Sequence, residues 1–121
     1  MTLSEFEKKY YLHDSSIEKI IYDEENKNLI LEIEFCFWMQ NWYSKNEPSN
    51  GKISVSFKNV SVFEYHHHDF ENILENLDTE VRQTEISDER LKIYIYEYNE
   101  IEDSFWWIEI KAENIEVTEL E

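Results

Sequence analysis

The chain has 121 residues, 41% of them hydrophobic and 16% aromatic, so it has the size and apolar content of one folded domain spanning residues 1–121. Its formal charge of −17 argues against nucleic acid and anionic membranes as partners, because both repel a negative field. A single cysteine, Cys36, excludes an intrachain disulfide, and no segment approaches the roughly 20 apolar residues of a membrane helix.

The negative charge is concentrated in the second half of the chain. Up to Val60 there are 7 basic and 10 acidic residues, a net −3, whereas the remainder has 4 and 18, a net −14. Such a field speeds association with a cationic partner. It also keeps an aromatic-rich protein soluble, which is the alternative explanation.

The N-terminal segment predicts a short helix over about residues 3–11. Ser4-x-x-Glu7 matches a capping box, and Leu3 and Phe6 share one helical face. The segment has no apolar core of the signal-peptide type. We therefore expect a cytoplasmic protein.

A β-hairpin is predicted next. Residues 17–22 are rich in β-formers, and residues 29–39 place apolar side chains on one strand face and Glu32 and Glu34 on the other. The polar run 23–28 predicts the turn between them. A slip of one residue would bury the glutamates, so the register is well specified.

The rest of the chain predicts a loop over residues 40–52, one helix near residues 69–78 capped by Asp69, and a series of strands. The further strands are predicted over residues 53–58, 60–65, 81–86, 91–98, 105–112 and 115–120. The predicted fold class is therefore α+β, mainly β. It has an antiparallel sheet of about seven strands, as a sandwich or a half-barrel, with the N-terminal helix and the helix near residues 69–78.

The run His66-His67-His68 is the main candidate for metal chemistry. His66 and His68 would project to the same side of a strand, and imidazole binds zinc well. A zinc site needs about three or four protein ligands, so His13, Cys36 or a carboxylate would have to complete the set. The alternative is a polar strand end that leads into a helix cap. We therefore assign no metal and no cofactor from the sequence, and keep His66 and His68 as candidates.

The sequence shows no other recognisable catalytic apparatus. Cys36 lies mid-strand without an activation signature, and a single glycine cannot build a phosphate-binding loop. The 28 acidic residues offer carboxylate pairs by chance alone. We therefore predict binding rather than catalysis.

Aromatic residues set among carboxylates are the candidates for a protein-binding surface, because interfaces desolvate aromatic side chains at their centre. The tyrosines of the strand 91–98 share one face, and at most one of the adjacent Trp106 and Trp107 can enter the core of a single sheet. The predicted partner-binding residues are Trp42, Tyr43, Tyr94, Tyr96, Tyr98, Glu100, Glu102, Asp103 and Trp107. Alternatively, a helix covers the tyrosine face.

Residues 12–17, Leu-His-Asp-Ser-Ser-Ile, resemble the start of a group of small bacterial proteins with a Leu-His-Asp-Ser-x-Ile motif. Some members of that group are immunity proteins of polymorphic toxin systems. The similarity extends through residues 53–60, which resemble the family's second apolar strand, and it singles out His13, Asp14 and Ser15. From the residues alone, such a turn has a structural explanation, in which Asp14 or Ser15 bonds local backbone amides and the imidazole closes the sheet end.

These observations lead to one main hypothesis and two alternatives. The main hypothesis is a cytoplasmic immunity-type protein that neutralises a cognate toxin, or another basic protein, by stoichiometric binding, and a basic nuclease would suit the charge. The first alternative is a metal-binding protein or small metal-dependent hydrolase built on His66, His68 and His13. The second is a structural or oligomeric accessory domain that pairs through its tyrosine face.

Overall fold

The computed structural model describes residues 1–46, 48–67 and 72–120, and the described residues form one α-helix and seven strands. In chain order the elements are α1 (Leu3–Lys9), β1 (Ser16–Asp23), β2 (Asn28–Cys36), a 3-10 turn (Phe37–Met39), β3 (Asn50–Tyr65), β4 (Ile73–Leu74), β5 (Thr79–Ser87), β6 (Arg90–Glu97) and β7 (Ser104–Leu120). The predicted mainly β class with a short N-terminal helix is confirmed.

All seven strands belong to one antiparallel sheet in the order β4-β1-β2-β3-β7-β6-β5. The sheet is open in its strand order, but its two sides approach each other. Val81 in β5 donates to the carbonyl of Ser15 over 2.8 Å and accepts from the amide of Asp14 over 2.9 Å, directly before β1. The architecture is therefore a curled sheet of the half-barrel kind rather than a two-sheet sandwich.

The inner face of this curled sheet carries the core, because apolar residues alternate with polar ones along the strands. Its buried members are Ile17, Ile20, Leu29, Leu31, Ile33, Phe35, Ile53, Val55, Phe57, Leu91, Ile93, Ile95, Trp106, Ile108 and Ile110. Helix α1 adds Leu3 and Phe6, and the Phe6 ring lies 6.0 Å from that of Phe57. Each fully buried aliphatic side chain contributes about 1.5–3 kcal/mol.

The N-terminal helix begins at Leu3 as predicted, but its capping box differs. Oγ1 of Thr2 accepts the amide of Glu5 over 3.1 Å, and the Glu5 carboxylate accepts the amide of Thr2 over 3.1 Å. Ser4 and Glu7 lie within the helix, so the box predicted from them is wrong. Among the described residues, no helix has the length and apolar character needed to cross a membrane.

Two predicted strand breaks do not occur. The segments on either side of Asn59 form the continuous β3, and a bulge after Val60 absorbs the change of register. The segments on either side of Glu113 and Asn114 form β7, in which Asn114 pairs with Lys58. The backbone amides and carbonyls of β3 and β7 bond one another through these positions, so the polar residues do not end the pairing.

The apolar alternation predicted to continue to Met39 ends earlier. Strand β2 stops at Cys36, and the next three residues form the 3-10 turn, which keeps Phe37 buried. The amide side chain of Gln40, which is 6% exposed, then bonds the backbone of Tyr11 in both directions, at 2.7 and 2.8 Å. After β2 ends, the side-chain amide of Gln40 supplies backbone hydrogen bonds that strand pairing no longer provides.

The helix predicted near residues 69–78 is wrong over the described part of that segment. Asp69, its predicted cap, lies outside the described residues. Ile73 and Leu74 instead form β4, paired with β1. Asn72 and Asn76 have φ angles of 80° and 55°, which a right-handed helix cannot accommodate. Hydrogen bonding of this segment to the open edge of β1 is favoured over the helix that the spacing of its apolar residues predicted.

We predict that Gly51→Ala lowers the free energy of unfolding by about 1–3 kcal/mol through overpacking. A Cβ at Gly51 would lie 2.7 Å from Cε2 of the buried Phe37 ring. The penalty should shrink in a Phe37→Leu background, because leucine lacks that ring carbon. Urea unfolding of the four proteins measures both costs, and equal costs in the two backgrounds would contradict the explanation.

Candidate functional site

The outer face of the sheet is aromatic where β6 pairs with β7. We define the aromatic face by Tyr94, Tyr96, Tyr98, Phe105 and Trp107. Phe105 is 68% exposed and Tyr98 is 43% exposed. The one described helix, α1, packs on the inner face, so no described helix covers the tyrosines.

Ring contacts hold these aromatic side chains in place. The Tyr96 ring makes edge-to-face contacts with Tyr98 and Phe105, each with centroids 4.8 Å apart. Trp107 stacks on His66 with centroids 4.1 Å apart. Such pairs add about 0.5–1.5 kcal/mol beyond area burial. The aromatic face is therefore preorganised before any partner arrives.

Carboxylates surround the aromatic face and accept its phenolic hydroxyls. The donors and acceptors are Tyr94 to Glu85, Tyr96 to Asp103 and Tyr98 to Glu80. The hydrogen bond to Asp103 raises the pKa of Tyr96, and the bond to Glu80 raises that of Tyr98. We call Glu80, Glu85 and Asp103 the acidic rim.

Two cations of the chain already lie over this face. The guanidinium carbon of Arg82 is 4.9 Å from the centroid of the Tyr96 ring. Nζ of Lys92 is 5.3 Å from the Tyr94 centroid and 5.5 Å from that of Trp107. The rings therefore present π-faces suited to arginine and lysine side chains.

The turn before β7 exposes one aliphatic residue among acids. Ile101 is 95% exposed, and its amide donates to Oδ1 of Asn99 over 3.0 Å. Asp103 accepts the amide of Asn99 over 3.3 Å and so shapes the turn. The predicted residues Glu100 and Glu102 flank Ile101 and are exposed. Sequence reasoning missed Ile101, because a single apolar residue in a polar turn is ordinary and carries no signal of its own.

Trp42 and Tyr43 are not brought together with the aromatic face. The Trp42 indole donates to the carbonyl of Lys9 over 2.9 Å, and its ring packs against Tyr10 and Phe37. Tyr43 is half-buried, and its amide bonds the carbonyl of the preceding turn. The structure gives Trp42 a packing role that joins α1 to the end of β2.

The His13-Asp14-Ser15 segment joins three elements of the fold. Ser15 is fully buried, and its Oγ accepts the amide of Cys36 at the end of β2 over 3.2 Å. Asp14 has a φ of 66° and bonds Val81 through its backbone. Nδ1 of His13 lies 3.3 Å from the Asp14 carboxylate. The serine thus bonds a distant strand rather than the local amides that we expected.

The Cys36 thiol is partly buried at the end of β2. Burial raises the pKa of the Cys36 thiol. Its Sγ lies 3.6 Å from the carbonyl oxygen of Asp14. A raised pKa keeps the side chain in its weakly nucleophilic protonated form.

We predict that Ser15→Ala lowers the free energy of unfolding by about 0.5–1.5 kcal/mol, because the partly buried amide of Cys36 loses the hydroxyl that accepts it. Ser16→Ala, one residue later on a partly exposed position, is the matched control and should change stability far less. Chemical denaturation of both variants checks this, and similar losses would contradict a specific role for Ser15.

The described histidines of the 66–68 run point to opposite faces. His66 lies on the outer face, whereas Nε2 of His67 lies 3.1 Å from Oε1 of Glu97, which also accepts the Trp106 indole over 2.9 Å. His68 lies outside the described residues. The His67–Glu97 pair borders an open cleft of about 650 Å³ that Leu74 and the turn before β7 also line.

His66 instead approaches two carboxylates. One ligand atom from each of Glu64, His66 and Glu109 lies within 4.8 Å of the other two. His13 is not part of this cluster, since it contacts Asp14 and stacks on Tyr11. The sequence could not reveal Glu64 and Glu109, because the chain separates them and only strand pairing brings them together.

Comparison with known proteins found no family model, curated protein or solved structure that matches the chain.

We predict that Asp103→Asn lowers the raised pKa of Tyr96 towards that of an ordinary tyrosine, because the phenolate no longer meets a carboxylate. Since the folded pKa is raised, the bond stabilises the fold at neutral pH and loses this effect as pH rises through that pKa. Alkaline titration followed by tyrosinate absorbance measures the shift, with Tyr96→Phe identifying the transition. Glu102→Gln is the control for nearby charge, and an equal shift in that variant would contradict the assignment.

Proposed function

We propose that this chain is a binding protein of the immunity type, which neutralises a basic toxin by docking on it through the aromatic face and the acidic rim. The observation that carries the proposal is an exposed, preorganised aromatic surface whose hydroxyls are bonded to carboxylates. Aromatic anchors ringed by polar groups are typical of the energetic centre of protein interfaces.

The charge of the chain supports a basic partner. The second half carries a net −14, and its strands β5, β6 and β7 carry the aromatic face and the acidic rim. A potential of this sign accelerates encounter with a cationic protein. An acidic surface of this kind can also occupy a cleft that otherwise binds phosphates. A basic nuclease is therefore the toxin class that suits the surface.

The resemblance at residues 12–17 supports the same proposal. In this chain that segment closes the half-barrel rather than lining the aromatic face. A shared structural segment combined with a separate binding face would let related proteins keep the fold and change partners. The cytoplasm is the compartment in which such a protein would protect its own cell.

The charge also separates this proposal from the oligomeric alternative. Pairing two copies through the aromatic face would bring together two chains of −17 each, with both acidic rims at the contact. Like charges facing each other at an interface cost several kcal/mol. We expect the protein to be a monomer in dilute solution. A dimer that dissociates when Phe105 is replaced by alanine would favour the oligomeric alternative.

The test is co-expression of the chain with the products of neighbouring genes, followed by affinity capture and by measurement of growth in the presence of a linked toxin. We predict capture of one basic protein and protection from it. Phe105→Ala should weaken the complex about 10- to 100-fold, as expected for an aromatic anchor.

Trp38→Ala is the matched control, because Trp38 is 54% exposed but lies in the 3-10 turn, apart from the aromatic face. It should leave affinity and protection unchanged. Affinity should also fall as salt is raised, since charge contributes to the encounter. If Trp38→Ala weakens the complex and Phe105→Ala does not, the binding surface does not lie on the aromatic face. If no partner is captured and no protection from a linked toxin is observed, the proposed function is refuted.

A further inference from the structure

We propose that Glu64, His66 and Glu109 form a binding site for a divalent transition-metal ion such as Zn²⁺, on the outer face where β3 pairs with β7. Metal binding here needs no protein partner, although His66 stacks on Trp107 of the aromatic face. It retains His66 from the candidates predicted from the sequence. Two carboxylates, one of the kinds of ligand allowed there, complete it in place of His13 and His68.

Strand register brings the three side chains together. Glu64 in β3 is directly opposite Glu109 in β7. His66 lies two residues beyond Glu64, on the same side of the chain, and its amide donates to the carbonyl of Trp107 over 3.0 Å. The backbone therefore holds all three positions, whatever the rotamers of the two glutamates.

The imidazole of His66 is already oriented. It stacks on Trp107 with ring centroids 4.1 Å apart and planes at 25°. In this position its Nε2 lies 4.0 Å from Oε2 of Glu109. A stacked ring loses little freedom on binding, so the entropic cost of ligation is low.

The distances suit a small ion after a modest closure. In a tetrahedral zinc site with bonds of about 2.0–2.2 Å, two ligand atoms lie about 3.3–3.6 Å apart. The His66–Glu109 separation of 4.0 Å must therefore shorten by about 0.5 Å, and a separation at the 4.8 Å bound of the cluster by about 1.3 Å. Glu64 is exposed and can supply that movement.

Two cationic side chains of the chain lie beside the glutamates of the site and compete with a metal ion for their carboxylates. Two glutamates directly opposite each other in an antiparallel pair repel. Arg90 lies 3.3 Å from Oε1 of Glu64, and Lys92 lies 3.7 Å from Oε1 of Glu109. Oε2 of Glu109 is the oxygen that faces His66. A nitrogen and two carboxylate oxygens form a ligand set that suits zinc, and three protein ligands leave coordination positions open.

The experiment is titration of untagged, metal-free protein with Co²⁺, followed by visible absorption, by quenching of tryptophan fluorescence and by displacement with Zn²⁺. We expect saturable binding of one ion per chain. His66→Asn and Glu109→Gln should each weaken binding at least about tenfold. Lys92→Met should strengthen it roughly two- to fivefold, because it removes a competing cation.

His13→Asn is the control, since His13 lies in another part of the fold, and it should leave the affinity unchanged. Circular dichroism of each variant confirms that it is folded. Absence of saturable binding would overturn the proposal. Binding that is insensitive to His66→Asn and Glu109→Gln would also overturn it. The titration contains no protein partner, so its outcome is separate from that of the toxin experiment.

Discussion

The pairing of β3 with β7 is the constraint on which the rest of the structure depends. These strands have 16 and 17 residues, lie at the centre of the sheet and pair from Lys52–Leu120 to Tyr65–Ile108. On one side β3 receives the β1–β2 hairpin, and on the other β7 receives the β6–β5 hairpin. Alternation along β7, where it goes on to pair with β6, turns Trp106 into the core and Trp107 outwards, so it decides which face is apolar and which can bind.

The inner face of the sheet stabilises the fold, and the outer face carries the groups proposed for binding. The inner face, together with α1, buries most of the aliphatic side chains, which leaves the outer face of β5–β7 to carry rings and carboxylates. Those outer groups are tied to one another by ring contacts and hydroxyl–carboxylate bonds, rather than buried under another layer. A surface that needs no covering layer to keep its shape is suited to recognise a partner with little reorganisation.

Local sequence patterns predicted the elements well where one period dominates. The alternation from Leu29 to Phe35 specified β2 and its register, and the adjacent tryptophans predicted one inward and one outward ring. The segment near residues 69–78 failed because helical spacing of a few apolar residues also suits a short edge strand, and only the open edge of β1 decides between them. Contacts between distant positions, such as Ser15 with Cys36 or Glu64 with Glu109, leave no local trace.

The wide separation of β3 and β7 along the chain has a consequence for synthesis. The last residue of β3 is Tyr65, whereas β7 begins at Ser104 and ends at Leu120. At about 5–20 residues per second, the ribosome makes the segment from Tyr65 to Leu120 in roughly 3–11 s. During that interval β3 lacks its partner strand, and the apolar core lacks the residues that β5, β6 and β7 supply. The charged and hydroxylated outer side chains of the first half, such as Lys52, Ser54 and Lys58, would then protect a nascent sheet from joining its neighbours on a polysome.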